Sequence, residues 1–511
     1  MKTYLPALRR RSFLVGASSL GLMAAAFPTL SLGQSGANVL RIGTLGLDTV
    51  DPHRHTGTIA VQQVYVEALT SIAPDGSVEP WLAEAIDARA DGLAYTFKLR
   101  PNVHFHNGDT LTASDVVANF SRVKEKITGG WLVSAMEYVD SVEAPDELTV
   151  VVNMSAPYAP LLNLLSELWI VSPKSEGWDD TINRPIGTGP FTFGAWQPKD
   201  SFTAPAFDNY WVAGLPKVSA LWFDIRDEAD KALALQAGDL HIAMVSAEAA
   251  ETIKAAGVAN VDPLGDATWY FMAFNNRSAR APFDDIRVRQ AIGHAIDKAA
   301  FMNFEAGPTA VTTNQMSKPG TFYFDQAMHD ADPFKAPDLE RARSLLAEAG
   351  VNPAEHTVRF VSWQEDYAQV IVQMVRQLGF QVEHAALDDV AAQQRLSGDD
   401  WDMNVMSSGP RSDIFLRYVR LMSNGPNPTL WGNIQNPALD AVIDAASKEV
   451  DSDKRRGLYL EAIQMVHDNM YFVVLGHAAR LFATRHEVKD FKAGFSFSLN
   501  WASGGVAHAS L

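Results

Sequence analysis

The chain has 511 residues and is 47% apolar, so it is too long for one compact core and should fold as two or three domains. Its formal net charge of −18, from 42 Lys and Arg against 60 Asp and Glu, argues against nucleic acid or an anionic membrane surface as a partner. The sequence has no Cys, which excludes thiol nucleophiles, disulfides, iron–sulfur clusters and thiolate metal sites.

The N-terminus has the features of an export signal. R-R-S-F-L at 10–14 fits the twin-arginine motif, an Ala-, Gly- and Ser-rich apolar region follows, and small residues near Gly33 or Ala37 suit cleavage. A retained membrane anchor is the alternative, but Pro28 and the weak hydrophobicity disfavour it. Without Cys there is no lipid anchor. We expect residues 1–37 to be a twin-arginine signal peptide and the mature protein to be soluble, periplasmic and not lipidated.

The mature chain begins with short elements. Residues 39–45 are a predicted strand, and the loop L-D-T-V-D-P-H at 47–53 follows it. Apolar residues spaced by three and four predict a helix over 61–69. The segment F-K-L-R-P-N-V-H-F-H-N-G-D-T-L-T-A-S-D-V at 97–116 predicts a strand, a turn and a helix that begins at the capping box T-A-S-D.

Two histidine pairs raise the question of a metal. His104 and His106 are two residues apart, so on a strand their side chains share a face, and His53 and His55 have the same spacing. No third ligand is visible near either pair. We therefore predict that both pairs belong to loops and that the protein has no metal or other cofactor.

The glycine-rich run P-I-G-T-G-P-F at 185–191 resembles a phosphate-binding loop only superficially. No Lys-Ser or Lys-Thr follows it, and no helical pattern begins there. We interpret its glycines as residues that permit a tight backbone turn.

A buried strand followed by a helix is predicted near the middle of the chain. The run W-Y-F-M-A-F at 269–274 is apolar on both faces, as expected of a central strand in a covered sheet. Asn275 and Pro282 interrupt it, and Asp284 or Asp285 offers an N-cap to a helix with an apolar stripe.

The remaining sequence alternates strands and helices. A helix is predicted over 338–350, and a strand–helix–strand unit over 357–384 favours parallel pairing. The loop at 406–413 and the Pro-, Asn- and Gly-rich loop at 424–437 follow. No G-x-S-x-G elbow, H-E-x-x-H motif or Walker loop is present, so we do not expect an enzyme.

Five segments carry a family resemblance. The chain resembles the extracellular solute-binding proteins of the peptide, nickel and opine type, family 5, which serve ATP-binding-cassette (ABC) importers. The segments are L-D-T-V-D-P-H at 47–53, the 97–116 signature, P-I-G-T-G-P-F at 185–191, F-N-N-R to A-I-D-K at 274–298, and D-L-E-R-A-R-S-L-L-A-E-A-G at 338–350.

The resemblance implies an α/β, two-lobed periplasmic-binding-protein type II fold with an additional subdomain in the first lobe. Lobe I is expected to span 38–275 plus 485–511, with the subdomain at about 78–183, and lobe II to span 276–484. It also implies a monomer that captures a small-molecule solute and docks on the permease subunits of an ABC transporter. A periplasmic hydrolase, or a sensor or chaperone subunit, on the same fold is the alternative.

Residue 411 bears on the solute. In peptide-binding relatives, a loop G-W-x-x-D supplies an Asp for the peptide amino terminus, whereas the corresponding region here, 406–413, has Pro410-Arg411 at that place. This difference argues against dipeptide binding. A guanidinium can hold a carboxylate or phosphate bidentately. We predict that Arg411 selects an anionic or polyhydroxylated solute; the alternative is a surface arginine paired with Asp413.

Aromatic residues complete the predicted site. Trp269, Tyr270, Trp401 and Trp431 are candidates for stacking on a ligand, and Trp431 is favoured because it lies in a polar loop. Asn275 either contacts the ligand or holds the turn between the lobes, and Asp413, close to Arg411 in the same loop, is also a predicted ligand-binding residue. Peptide-like, opine-like and other small anionic or polar solutes all suit this site, and chelated nickel is only mildly disfavoured.

Overall fold

The computed structural model describes residues 38–44, 46–54, 60–128, 131–226, 228–363, 367–425, 428–495 and 498–511. The predicted signal peptide and His55 lie outside the described residues. Asn38–Leu511 form one compact unit. Among the described residues, no helix combines the length and the apolarity needed to cross a membrane.

Strands and helices alternate along the described chain. The strands are β1 (Val39–Gly43), β2 (Glu67–Ala68), β3 (Thr70–Ile72), β4 (Val78–Pro80), β5 (Ala83–Ala88), β6 (Ala94–Leu99), β7 (Val139–Asp146), β8 (Thr149–Met154), β9 (Trp169–Ile170), β10 (Trp196–Gln197), β11 (Ser201–Pro205), β12 (Ala220–Asp224), β13 (Ile242–Val245), β14 (Ala259–Phe274), β15 (Ala310–Thr312), β16 (Thr357–Trp363), β17 (Gln381–Leu387), β18 (Met403–Ser408), β19 (Phe472–Arg485), β20 (Asn500–Trp501) and β21 (Gly504–Gly505). The α-helices are α1 (Ala113–Lys126), α2 (Trp131–Met136), α3 (Leu161–Leu164), α4 (Glu228–Ala237), α5 (Ala247–Ala256), α6 (Ile286–Ala295), α7 (Lys298–Ala306), α8 (Gln326–Asp330), α9 (Leu339–Glu348), α10 (Tyr367–Gln377), α11 (Asp389–Ser397), α12 (Phe415–Tyr418), α13 (Pro437–Lys448) and α14 (Ser452–Asp468).

An 11-stranded sheet organises the molecule. Its strand order is β10-β11-β12-β1-β13-β19-β14-β18-β16-β17, with β15 paired to β19 off this path. β1 is parallel to β12 and β13, and β16 is parallel to β17 and β18. A separate sheet of four strands, β5-β6-β8-β7, lies within the predicted subdomain. The mixed α/β class is thereby confirmed.

Two long antiparallel strands, β14 and β19, join the two halves of this sheet, and we call them the crossing strands. The first part of β14 pairs with the end of β19 beside β13, and the last part, Trp269 to Phe274, pairs with β18. The predicted apolar strand is therefore the last part of β14. It is buried on both faces because Trp269 and Phe271 enter one hydrophobic core and Tyr270 and Met272 enter another.

Helix starts follow the predicted caps. Thr112 and Asp115 form the capping box of α1. Asp285 caps α6 by accepting a hydrogen bond from Arg287 N, and Asp338 caps α9 by accepting one from Arg341 N. Each cap satisfies backbone N–H groups that the helix itself leaves without partners.

One predicted helix is wrong. The chain over 61–69 forms only a 3-10 helix, Gln62–Val64, and then enters β2. Antiparallel pairing of Glu67 with Ile170 and of Ala68 with Trp169 supplies the backbone hydrogen bonds that a helix would otherwise have made. The apolar stripe is buried as predicted, but in extended chain.

The glycines of 185–191 are needed for close approach to another segment. A Cβ on Gly187 would lie 1.9 Å from the Tyr65 carbonyl oxygen, and one on Gly189 would lie 2.7 Å from Val64 O. Neither glycine has positive φ. The loop therefore requires glycine because two backbones touch, not because of an unusual turn.

Candidate functional site

The carboxyl ends of the parallel strands in the two halves of the sheet face each other. Val245, the last residue of β13, is opposite Leu481 of β19, whereas Ser408, the last residue of β18, is opposite Trp269, which pairs with His477. β13 and β18 thus approach the same stretch of β19 from opposite directions. Ligands of open α/β sheets bind beyond the carboxyl ends of the strands. The candidate site is the cleft between these two edges.

A large cavity lies on the crossing strands, and we call it the crossing-strand cavity. Its volume is about 660 Å³, and its walls come from the end of β13 with the start of α5, from β14, α7, β18 and β19. The residues used below are Ser246, Thr268, Tyr270, Phe304, Glu305, Ser407 and Arg480. Both halves of the sheet therefore contribute to one cavity.

The crossing-strand cavity contains charges of both signs. The Tyr270 hydroxyl donates a hydrogen bond to Glu305 Oε1 at 2.7 Å. Arg480 Nε donates to Thr268 Oγ1 at 3.3 Å. Phe304 is 58% exposed although it is a large apolar side chain, and it lies on the wall of this cavity. The surface can thus contact a cation, an anion and an apolar group.

A second cavity, of about 390 Å³, lies beside the loop after β18, and we call it the arginine cavity. One side is formed by residues before the subdomain sheet, by Asn163 and by Phe495; the other includes Lys318, Phe322, Tyr323, Arg411 to Ile414, Arg417 and Arg455. Asn163 Nδ2 donates to Ser412 O at 2.7 Å and so joins the two sides. The Ser412 hydroxyl is buried and has no hydrogen-bond partner among the described residues.

Asp413 is bound within the protein. Its Oδ1 accepts hydrogen bonds from Phe415 N at 2.7 Å and from Arg455 at 2.6 Å. Burial is the largest single influence and lowers the pKa of Arg455, but Asp413, Tyr459 and Tyr323 together outweigh it and raise that pKa above its usual value. The pair fixes one wall of the arginine cavity, and the acidic charge of Asp413 is compensated.

Arg411 lies on the wall of the arginine cavity and is half-buried. One of its terminal nitrogens donates to Pro410 O at 3.0 Å. A second guanidinium, Arg420, lies 5.4 Å from the ring centre of Trp431. Burial, with a smaller contribution from the charge of Arg411, lowers the pKa of Arg420 to about 9. Positive charge is thus concentrated behind the arginine cavity, where it favours an anion.

The predicted tryptophans lie in the interior. Trp269 is fully buried, stacks on Phe271 at 4.6 Å and lies 5.3 Å from Trp431, which is itself 2% exposed. Trp401 is fully buried, and its Nε1 donates to Leu396 O at 3.1 Å. These three rings pack behind the cleft wall, and their predicted stacking on a ligand stays a prediction.

Asn275 and Tyr270 have different positions. Asn275 is buried; its Nδ2 donates to Trp401 O at 3.1 Å, and its Oδ1 accepts from Ser278 N at 3.2 Å. It holds the turn after β14, one of the two roles predicted for it. Tyr270 lies on the crossing-strand cavity. Of the predicted site residues, the structure thus places Arg411 and Asp413 together and Tyr270 in a neighbouring cavity.

One histidine of each predicted pair, His53 and His106, is held by hydrogen bonds within the protein. Arg122 donates to His53 Nδ1 at 2.7 Å, and His53 Nε2 donates to Trp169 O at 2.9 Å. Burial, with a smaller effect of Arg122, lowers the pKa of His53 to about 4. His106 Nε2 contacts Gly189 O at 2.9 Å. Within the part of the chain that the structure describes, no three His, Asp or Glu side chains are placed to hold a metal ion.

Several residues of the two cavities carried no sequence signal. Arg455 and Tyr323 are far from Arg411 in sequence, and Glu305 and Arg480 lie in an ordinary helix and strand. Phe304 also carried no signal, because the other exposed residues of its helix include the alanines Ala299 and Ala300.

Comparisons with known proteins agree with this geometry. Residues 77–426 match the family model described as bacterial extracellular solute-binding proteins, family 5 Middle. The glutathione-binding protein GsiB of Salmonella paratyphi A is 26% identical over 88% of this chain and 90% of its own length. GsiB of Pectobacterium atrosepticum is 28% identical over 68% of this chain and 69% of its own length.

Solved structures share the fold. The periplasmic binding protein AgaA from A. tumefaciens R10, in complex with agropinic acid, superposes with a TM-score of 0.76 at 24% identity, covering 92% of this chain and 98% of its own. NikA from Brucella suis, in complex with Fe(III)-EDTA, has a TM-score of 0.80 at 22% identity, covering 91% and 99%. The predicted two-lobed fold is thereby confirmed.

Proposed function

The chain belongs to family 5 of the bacterial extracellular solute-binding proteins, which deliver small solutes to ABC-transporter permeases, and we propose that its own solute is a small, anionic, peptide-like molecule. The observation that carries this proposal is the pair of opposed strand edges with cavities lined from both sides. A solute held there stabilises the closed arrangement because it contacts both halves at once.

The dimensions of the arginine cavity support a small solute. Its volume of about 390 Å³ is near the lower end of the roughly 300–1,000 Å³ that is usual for small-molecule pockets. A long peptide needs more room than this. Among the relatives, GsiB is named for glutathione and AgaA was solved with agropinic acid, both of which carry carboxylates.

The charges support an anion. Lys318, Arg411, Arg417 and Arg455 line the arginine cavity together with only two acids, one of which is Asp413. Asp413 is compensated by Arg455. Arg417 is committed to the protein, because it donates to the backbone carbonyls of Met316 and Ala267. We propose that Arg411, which lies on the wall of this cavity, holds the solute carboxylate or phosphate with its guanidinium.

The first experiment identifies the solute. Native mass spectrometry of protein purified from the periplasm detects a retained molecule, and thermal shift against anionic peptides, opines and organic acids ranks candidates. A solute at a hundred times its Kd adds about 2.7 kcal/mol to the free energy of unfolding. An absence of any retained solute and of any shift contradicts the proposed function.

The second experiment tests Arg411. Arg411→Ala should weaken binding of the identified solute about ten- to hundredfold, because a charge-assisted hydrogen bond contributes about 1.5–3 kcal/mol. Arg411→Lys keeps the positive charge but loses the bidentate fork, so its affinity for the solute should lie between that of the wild type and that of Arg411→Ala. Arg89→Ala is the control, since Arg89 is exposed and pairs only locally with Asp91. Unchanged affinity in Arg411→Ala contradicts the assignment.

We infer that the protein captures its solute without altering it chemically. We also propose that the signal at 1–37 directs the protein to the periplasm and that the mature protein is a monomer. Incubation with the identified solute should return it unaltered, which separates this proposal from a hydrolase. Export should fail when Arg10 and Arg11 are both replaced by Lys. Light scattering of the mature protein gives its mass, and a dimer contradicts the monomer.

We also propose that the lobes follow the predicted limits, 38–275 plus 485–511 and 276–484. The register of β14 shifts between Pro263 and Ala267, and β19 changes partner from β15 to β13 between residues 478 and 481. We propose that the lobes pivot at these irregularities, which lie within the crossing strands a short way before the predicted limits at 275 and 484. Hydrogen exchange at 263–267 that slows when solute binds tests this position.

A further inference from the structure

The crossing-strand cavity is distinct in its chemistry from the arginine cavity. It is larger, at about 660 Å³, and it combines an acid, Glu305, with a base, Arg480, whereas the arginine cavity is mainly basic. A cavity with opposite charges on its walls suits a zwitterion. The arrangement of these side chains indicates which class of zwitterion the cavity can bind.

The basic part of the cavity is built on the crossing strands. Thr268 pairs with Ala478, so Thr268 and Arg480 project from the same face two residues apart along neighbouring strands. Arg480 Nε donates to Thr268 Oγ1 at 3.3 Å, which orients the guanidinium. A fork held in this way suits a carboxylate.

Lobe I adds a second feature to the basic part. The end of β13 leads through Ser246, which caps α5 by accepting from Ala249 N, into a helix of 10 residues. Ser246 and Ala247 line the cavity, so the positive end of the helix lies at its wall. The helix alone is not a site, but here it lies on the same cavity as Arg480.

The acidic part comes from α7 and from the end of β14 that pairs with β18. Tyr270 pairs with Ser407, and both line the cavity. The Tyr270 hydroxyl donates to Glu305 Oε1 at 2.7 Å and so fixes the carboxylate against the wall. A carboxylate in this position can accept hydrogen bonds from an ammonium group. Phe304, which is 58% exposed, offers an apolar surface beside it.

We propose that the crossing-strand cavity binds a free α-amino-acid group of the solute, with its carboxylate at Arg480 and the start of α5 and its ammonium at Glu305. The proposal rests on the proposed function and narrows the solute class to molecules with one α-amino-acid group and a second anionic group for Arg411. Ser407 and Arg411 are four residues apart along one chain, so their Cα atoms lie within about 14 Å of each other. A tripeptide-sized solute can contact both cavities.

The test uses the mature protein and matched probes in isothermal titration. The panel contains glutathione and γ-glutamyl dipeptides, each with an analogue that lacks the α-amino group and one that lacks the α-carboxylate. We expect at least one member to bind, and each deletion from it to weaken binding at least tenfold. If no compound with a free α-amino-acid group binds, or if the deletions leave affinity unchanged, the proposal is overturned.

Variants assign the two charges. Glu305→Gln should weaken binding of the parent compound at least tenfold but leave the analogue without the amino group within twofold, because the lost partner is already absent. Arg480→Gln should do the same for the analogue without the α-carboxylate. Equal losses for parent and analogue overturn the assigned roles.

A third variant tests the cavity at an exposed residue whose replacement should not disturb folding. Phe304→Ala removes an exposed side chain, so stability should hardly change while affinity falls several-fold; Leu233→Ala, 68% exposed on α4, is the matched control. Unchanged affinity in Phe304→Ala counts against the proposed cavity. A retained periplasmic solute without an α-amino-acid group overturns this inference but leaves the proposed function intact, whereas the absence of any solute overturns both.

Discussion

The carboxyl group of Glu67 is fully buried among hydrogen-bond donors. It accepts from Thr188 Oγ1 at 2.8 Å, from the Tyr210 hydroxyl at 2.7 Å and from Trp211 Nε1 at 3.0 Å. Burial raises the pKa of Glu67 to about 7, and the hydrogen bonds offset only part of that effect. The group therefore changes charge near neutral pH in the folded protein.

This shift predicts a pH dependence of stability. Because the folded pKa is above the unfolded value of 4.5, the folded state holds the proton more tightly, and the contribution of Glu67 falls as pH rises from about 4.5 to about 7. The loss is about 3 kcal/mol at 1.36 kcal/mol per unit. Chemical denaturation at both pH values gives the free energy of unfolding of the wild type and of Glu67→Gln. The difference between the two proteins isolates the contribution of Glu67, because other titrating groups such as His53 contribute equally to both. If the free energy of unfolding of the wild type, relative to that of Glu67→Gln, does not fall as the pH rises, the prediction is contradicted.

Individual residues also show which features of the candidate site could be predicted from the sequence alone. Arg411 was singled out because the resembled family has an acid at that place, and it lies on the wall of the arginine cavity. The partner of Asp413 was not, since Arg455 follows 42 residues later along the chain. Trp431 stood in a polar loop and suggested a ligand contact, yet it packs against Trp269 and Phe271, which are distant in sequence. Local composition cannot reveal such long-range packing.

At the scale of elements, glycine positions give a sharp contrast. A Cβ on Gly187 would lie 1.9 Å from the Tyr65 carbonyl oxygen, whereas a Cβ on Gly457, in the middle of α14, would meet nothing within 4 Å, and Gly457 has no positive φ. Gly187→Ala should therefore destabilise the protein by at least about 2 kcal/mol through forced backbone movement. Gly457→Ala should stabilise it by about 0.4–1 kcal/mol, because alanine restricts the unfolded chain.

Urea denaturation of both variants checks these signs. Gly187→Ala with wild-type stability contradicts the close contact between the 185–191 loop and Tyr65. A loss of stability in Gly457→Ala contradicts the open surface of α14. The two substitutions are chemically identical, so their opposite effects isolate the surroundings of each glycine.

Element prediction succeeded where the signal was local. Caps at Asp285 and Asp338 and the apolar strand at 269–274 are present because side-chain caps and apolar runs act over a few residues. The predicted helix over 61–69 failed because its fate depends on β9, about a hundred residues away. The order of strands in the large sheet was likewise not predicted, because it depends on pairing between segments that are distant in sequence.

At the scale of the whole molecule, contacts across the cleft join the subdomain to lobe II. Asn163 Nδ2 donates to Ser412 O at 2.7 Å, Ala159 N donates to Ser447 O at 2.8 Å, and Tyr158 meets the ring of Phe415 edge-on at 5.7 Å. Any opening of the cleft between the proposed lobes would have to break these contacts, so they favour the arrangement described here.

The crossing strands make the ends of the large sheet the best places to observe such opening. β11 is near one end of the strand order and β17 is at the other. Because β14 and β19 lie between the two parallel parts, a rotation within them moves the far ends most. Asp208, just after β11, and Glu383, on β17, are both exposed. The sequence has no Cys, so a label attached through an introduced Cys reacts at that position alone.

We therefore expect Asp208→Cys with Glu383→Cys, each carrying a spin label, to give a distance that changes by more than about 2 Å when the identified solute binds. The control pair, Glu340→Cys with Glu383→Cys, should give a constant distance, since α9 and β17 pack on the same core. A change in the control pair would indicate distortion within lobe II. If the distance between the labels at positions 208 and 383 stays constant while titration shows binding, closure is contradicted. The protein would then capture its solute without changing shape.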